Sequence, residues 1–347
     1  MPQARAPERS EDARPDRATP FVVRSGAACY DPRVSSISPR VRALLAMVLL
    51  LAAPAGCGRR TERVTAAQGV VWDRISPPEA VDADRPDWAS DSLAFQVRVA
   101  GAERVAVSRA DGSGLAIQPQ TGSVRERAPR WVGPGLLVLS SDASGTEDLW
   151  YREPASGVTR RLTDEPSLAW TPAPRPGTPG LAYVEGPDSG WGRIALLPDT
   201  AMKPLGKVYL TPTTLVAGEP SWNPAGDRLC FSVKKPSGSI EVWTLSMADT
   251  LPVELTVAPL IPIPQLDRSP RFSPDGTSIL MASNRGGVWG VWKLSLAGEA
   301  QGLDLLAQDV PGAEIRHPTW SPDGTEIVLS SDRGGARALW RLSRLPF

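Results

Sequence analysis

The sequence predicts an all-β chain made of one repeated unit, and three observations carry that prediction. First, Pro270-Arg-Phe-Ser-Pro-Asp-Gly276 and Pro318-Thr-Trp-Ser-Pro-Asp-Gly324 are nearly the same segment. Each runs on into an apolar stretch (278–283, 326–331), then Asn284-Arg-Gly-Gly287 or Asp332-Arg-Gly-Gly335, then a second apolar stretch (291–294, 339–342). Second, weaker copies precede these two. Aromatic anchors Trp88, Trp131, Trp170, Trp222, Phe272 and Trp320 follow one another at intervals of 43, 39, 52, 50 and 48 residues. Four-stranded propeller blades recur at such periods. Third, 36 prolines and 31 glycines in 347 residues suit short strands joined by tight turns better than helices. The expected fold is a six-bladed β-propeller of four-stranded antiparallel blades.

Each element has a physical reason. Ser-Pro-Asp-Gly suits a type I turn, with Ser at its first position, Pro preset at the second and Gly at the fourth. The alternating run that follows is a strand with one buried face. Asn/Asp-Arg-Gly-Gly supplies the next hairpin, where Gly accepts positive φ. The aromatic anchor packs each blade on its neighbour. Leu162-Thr163, Leu210-Thr211 and Leu255-Thr256 mark the outermost strands. The last copy ends after its third strand. Residues 69–76, Gly-Val-Val-Trp-Asp-Arg-Ile-Ser, are expected to supply its fourth and close the ring, which removes exposed edges.

Ahead of the repeats, residues 43–56 read ALLAMVLLLAAPAG after Arg40 and Arg42. A basic start, a short apolar run and small residues make an export signal. The run is short of the roughly 20 residues of a membrane span. Ala55-Gly56-Cys57 resembles a bacterial lipobox, although Pro54 stands where Leu is usual. Lipidation of Cys57 is therefore expected. Gly58 in place of Asp points to the outer membrane or periplasmic face rather than inner-membrane retention. The expected organisation is a polar extension over 1–40, with Val41 a candidate start, a signal over 41–57, a tether over 58–67 and the propeller over 68–347.

The Trp-Ser-Pro-Asp-Gly, Ser-Asp-Arg-Gly-Gly and Leu-Trp signature resembles the PD40, or WD40-like, propeller repeat of TolB and related proteins, over nearly all of 68–347. The resemblance implies a TolB-like propeller lipoprotein of the cell envelope. The α/β domain that TolB carries ahead of its propeller is expected to be missing, and the expected lipid anchor would distinguish the chain from soluble periplasmic TolB.

Charge is balanced at 38 basic and 38 acidic residues, which gives no footprint for nucleic acid. The three cysteines, Cys29, Cys57 and Cys230, have no zinc or disulfide spacing, and Cys230 reads as a small buried hydrophobe. The single histidine, His317, has no Gly-x-Ser-x-Gly elbow to serve, and one histidine cannot build a multi-histidine metal site. Among the carboxylates Asp87, Asp91, Asp142, Glu147, Asp148, Glu185, Asp275 and Asp323, the last two read as turn residues. Asp142, Glu147 and Asp148 match no calcium-loop pattern. The candidate partner-binding set is Asp87, Arg130, Arg271, Arg316 and His317, beside the starts of the inner strands. Its three arginines could take a partner's carboxylates bidentately.

These readings give an expectation of a non-catalytic, membrane-tethered scaffold. It would be a monomeric propeller with no cofactor and no metal, binding an envelope protein. A glycan- or small-ligand-binding lipoprotein is one alternative. A carbohydrate-active enzyme using carboxylates at the propeller mouth is the other.

Overall fold

The computed structural model describes residues 62–63 and 69–346, apart from 121–122, 165, 189, 200–205, 250, 256–263 and 297–301. Cys29, Cys57 and the signal segment lie outside the described residues. The described residues form an all-β propeller of antiparallel sheets, with no helix among them.

Hydrogen bonding resolves five sheets rather than six. One holds Asp84–Ala89, Ser92–Val99, Ala102–Arg109 and Ala116–Ile117. The next holds Glu126–Gly133, Leu136–Ser141, Asp148–Arg152 and Thr159–Arg161. An eight-stranded sheet follows, from Leu168–Pro174 to Val253–Glu254. Its two halves join only through the pair Gly192–Ala217. A further sheet runs from Asp267–Phe272 to Leu303–Gln308. Glu62–Arg63, within the expected tether, adds to its outer strand in parallel, opposite Leu303 and Asp304. The last sheet holds Ile315–Trp320, Ile327–Ser331 and Ala338–Ser343. Its outer strand is Val71–Arg74, paired from Val71–Ser343 to Arg74–Trp340. The N-terminal strand thus stands where the sequence places it.

The Ser-Pro-Asp-Gly turns form as expected. The Gly276 and Gly324 amides each donate to the serine carbonyl three residues back, at 2.9 Å. Asp275 and Asp323 cap these turns by accepting from Thr277 and Thr325, which leaves them structural. The Leu-Thr pairs extend the outer ladder by two steps. Leu162 and Leu210 donate their amides to Leu149 and Ile194, and the Thr163 and Thr211 hydroxyls accept the amides of those same residues.

One irregularity recurs. In six strands the pairing slips by one residue, between Asp84 and Asp87, Arg127 and Arg130, Trp170 and Ala173, Gly218 and Ser221, Arg268 and Arg271, and Arg316 and Thr319. Each slip is a β-bulge, which bends the strand and re-aims a side chain. At each bulge a non-glycine residue takes positive φ: Arg85, Ala128, Thr171, Glu219, Ser269 and His317, between 44° and 55°. Every one precedes a proline, which disfavours the ordinary helical region. Each such position costs about 1–3 kcal/mol that surrounding packing must offset.

The bulges correct one anchor. Trp88, Trp131, Trp222, Phe272 and Trp320 each stand three residues past the bulge residue; in the third copy that place is Pro174, not Trp170. Trp170 lies before its bulge, under the Arg127 guanidinium.

The core is a series of clusters between consecutive sheets. Leu137 and Leu139 meet Ala94 and Val105; Leu149 and Val138 meet Leu181 and Tyr183. Val184 and Ile194 meet Trp222 and Phe231 within the eight-stranded sheet. Cys230 and Val242 meet Phe272, Met281 and Trp292. Leu280 and Val291 meet Trp320 and Ile327. Val328 and Leu339 meet Leu93 and Phe95 of the first sheet. Cys230 is fully buried, and burial pushes its thiol pKa up, as suits a packing residue. The arginine of each Arg-Gly-Gly turn is buried or nearly so and paired. Arg285 reaches Asp267 at 2.7 Å and lies over Trp292; Arg333 reaches Asp309 at 3.5 Å and lies over Trp72 and Trp340.

Candidate functional site

The bulged strands bring side chains from distant parts of the chain together, in two groups. The expected binding residues divide between them.

The first group is Asp87, Arg130 and Arg271. Asp87 Oδ1 accepts from Arg130 Nη1 at 3.0 Å and lies 3.7 Å from Arg271 Nη2, while its Oδ2 accepts the Trp131 amide at 2.8 Å. All three side chains are about 15% exposed. Burial pushes the Asp87 carboxyl up against the pull of Arg130, and burial pushes Arg130 down against Asp87. Two of the three arginines expected to meet a partner are thus committed to an internal carboxylate.

The second group lies at the bulges themselves. His317 Nδ1 is 2.8 Å from Asp84 Oδ1, and its Nε2 is 3.4 Å from Glu219 Oε1. Ser330 donates to Asp84, and the Ser232 hydroxyl and the Ser269 amide and hydroxyl donate to Glu219. Burial raises both carboxyls, but His317, the nearby Arg85 charge and these donors outweigh it and hold both well below the ordinary carboxylate range. His317 therefore ties the first sheet to the last and to the middle of the chain.

Around His317 and Glu219 opens a cavity of about 310 Å³, lined also by Arg85, Trp191, Lys234, Arg268 and Arg316. A second, of about 260 Å³, shares Arg316 and is lined by Asp84, Arg98 and Arg337 among others. Arg268 and Arg316 both pair with Glu314, at 3.1 and 2.6 Å. Gly218 has no side chain because the Trp191 ring and the Gly190 carbonyl occupy that place.

Sequence reasoning found Arg316 and His317 here but missed Arg85, Glu219, Lys234 and Trp191. The residue before each repeated proline is the signal for Arg85 and Glu219, as it is for His317; Lys234 and Trp191 carry none. The other carboxylates are satisfied locally. Asp142 pairs with Arg125 at 2.7 Å, Asp148 with Arg161 at 2.7 Å, and Glu185 with Lys207 at 2.9 Å. Glu147 is 3.5 Å from Arg127, and burial pushes its carboxyl up to about 7, with Arg127 opposing. Among the described residues no group of three or more His, Cys, Asp or Glu side chains is arranged to hold a metal ion.

No protein-family model matches the sequence, and no curated protein matches it. Solved structures do. The chain is similar to TolB from Acinetobacter baumannii, with 15% identity, 74% of this chain and 64% of that chain covered, and a TM-score of 0.58. This chain thus spans less than two thirds of that protein. It is similar to a TolB protein from Agrobacterium tumefaciens, with 15% identity, 77% and 91% covered, and a TM-score of 0.57. It is also similar to an oligogalacturonate lyase solved with manganese, with 14% identity, 83% and 96% covered, and a TM-score of 0.52. The fold is that of a TolB-like β-propeller. One expectation is corrected here: parts of a puromycin hydrolase and of prolyl endopeptidases share this fold, as does the lyase, so the expectation of a chain without enzymatic activity does not stand. The physical reason is that a propeller is a frame on which unrelated sites are built.

Proposed function

We propose that the chain is a propeller scaffold, tethered in the bacterial envelope by a lipid on Cys57, which docks a protein partner over the bulged starts of its inner strands. The observation that carries this reading is the rim itself. Its cations line two adjoining cavities, and two of them, Arg85 and Lys234, make no ion pair among the described residues, while the charges two residues past the bulges pair internally.

In this reading the propeller has six blades in a closed ring. The eight-stranded sheet counts as two blades joined by one residue pair. Six bulges and six intervening clusters support that count, and the cluster of Val328, Leu339, Leu93 and Phe95 supports closure. Such a ring leaves few free strand edges.

Cross-linked, detergent-solubilised membranes carrying the tagged chain test the reading. The expected capture is one discrete envelope protein, diminished when Cys57→Ala removes the anchor, with labelled palmitate incorporated only when Cys57 is present. Capture of no protein would overturn the scaffold reading.

A second reading has one observation in its favour. His317 lies between Asp84 and Glu219 in an open cavity, on a fold that a carbohydrate lyase shares. It requires turnover of an acidic oligosaccharide that His317→Gln abolishes.

A further inference from the structure

The cavity beside His317 contains three donors that nothing among the described residues satisfies. The Arg85 guanidinium has no hydrogen bond or ion pair, although its own backbone amide donates to Asp84. Lys234, exposed at the end of Arg228–Lys234, has none either, nor does the indole nitrogen of Trp191. The acceptors nearby are already used. Glu219 takes three hydrogen bonds from Ser232 and Ser269 and faces His317, and Glu314 is held by both Arg268 and Arg316. Asp84 and Glu219 lie near enough for the Arg85 charge to pull both carboxyls down, but neither makes a hydrogen bond or ion pair with its guanidinium.

We propose that Arg85 and Lys234 receive the carboxylates of an acidic peptide segment, which is the docking epitope of the protein partner; this deepens the scaffold reading and rests on it. Arg85 is held for the task. It occupies a bulge at a φ of 52°, locked by Pro86 and by the hydrogen bond its amide donates to the Asp84 carboxylate, so little backbone freedom is lost on binding. A guanidinium fork matches a carboxylate bidentately. A lysine at the same cavity suits a second acidic side chain. The two cavities adjoin at Arg316, which suits an extended segment rather than a single ion. Trp191, seated on Gly218, offers an aromatic wall and a free N–H to a residue beside the acidic ones.

Fluorescence anisotropy on the full chain tests this, with a labelled short peptide of alternating Asp and Glu and its Asn/Gln counterpart as probes. The acidic peptide should bind, and the neutral one about tenfold more weakly or worse. Arg85→Gln and Lys234→Gln should each lose about tenfold in affinity, with unchanged thermal midpoints to show that the fold is intact. Arg109→Gln, exposed and outside both cavities, should bind as the parent does. Equal binding of both peptides, or parent-like binding by Arg85→Gln, would overturn the proposal. So would digalacturonate that binds tightly where the acidic peptide does not, which would assign the cavity to uronic acids. Capture of the same envelope protein by parent and Arg85→Gln alike would refute the epitope but leave the scaffold. Arg85-dependent peptide binding with no captured protein would support the site and refute the scaffold.

Discussion

Arg130 and Arg85 sit on the first strands of neighbouring sheets, and their surroundings differ in kind. Arg130 stands two residues past its bulge, 3.0 Å from Asp87, with Arg271 on the other side of the same carboxylate. Arg85 stands on its bulge, lines an open cavity and makes no side-chain hydrogen bond or ion pair among the described residues, acting on Asp84 and Glu219 only through space. Both were equally visible as arginines beside a repeated proline. Both places gather charge from several strands: His317 and Glu219 pair across sheets at the bulges as Arg130 and Asp87 do beyond them. Arg85 differs because the acceptors around it are already engaged, which leaves its guanidinium for a ligand.

That contrast can be broken most sharply at Asp87. Asp87→Ala leaves Arg130 and Arg271 without their carboxylate in a largely buried place, and unfolding free energy in urea should fall by about 3 kcal/mol. A loss near zero would mean that the pair is solvated and the contrast false.

Glu147 gives the next largest effect, with a pH signature. Its carboxyl, pushed up to about 7 from 4.5, binds its proton more tightly in the folded chain than in the unfolded one. The native state therefore loses stability as pH rises between those values. Glu147→Gln removes that loss. Its stability relative to the parent should improve from pH 5 to pH 8 by at most about 3 kcal/mol, read from unfolding curves at both values.

Gly218→Ala sharpens the comparison at the rim. A Cβ there would stand 2.7 Å from the Gly190 carbonyl and 3.1 Å from the Trp191 ring. The variant should lose about 1–3 kcal/mol and shift the fluorescence of Trp191, with Asp87 and Arg130 undisturbed. The smallest effect belongs to Arg85→Gln, expected within about 0.5 kcal/mol of the parent because its side chain makes no hydrogen bond or ion pair among the described residues and acts on Asp84 and Glu219 only through space. A large destabilisation there would show that Arg85 is structural.

Much of the fold was legible because the turns repeat their chemistry: Ser-Pro-Asp-Gly names a turn wherever it occurs, and the missing last strand pointed to Val71–Arg74. The third copy misled because Pro174 fills the aromatic place and Trp170 lies four residues earlier, so spacing alone chose the wrong residue. The sharing of one sheet by two halves had no sequence signal, since it rests on the single pair Gly192–Ala217. The site was half legible. Arg316 and His317 were found by their place in the strongest repeat. The partners of His317, Asp84 and Glu219, are 233 residues and nearly a hundred residues away in sequence, and no local pattern joins them. The commitment of Arg130 and Arg271 to Asp87 was invisible for the same reason.

The most direct test of the docking rim places a photo-cross-linking residue at one of two positions in the anchored chain. Leu266 lines the cavity and is half-buried, whereas Asp323 is exposed on the turn that follows the far end of Ile315–Trp320. The expected result is one cross-linked envelope protein from position 266, lost when Arg85→Gln is added, and none from position 323. Cross-linking from position 323 with none from 266 would contradict it and move the partner to the other end of the strands.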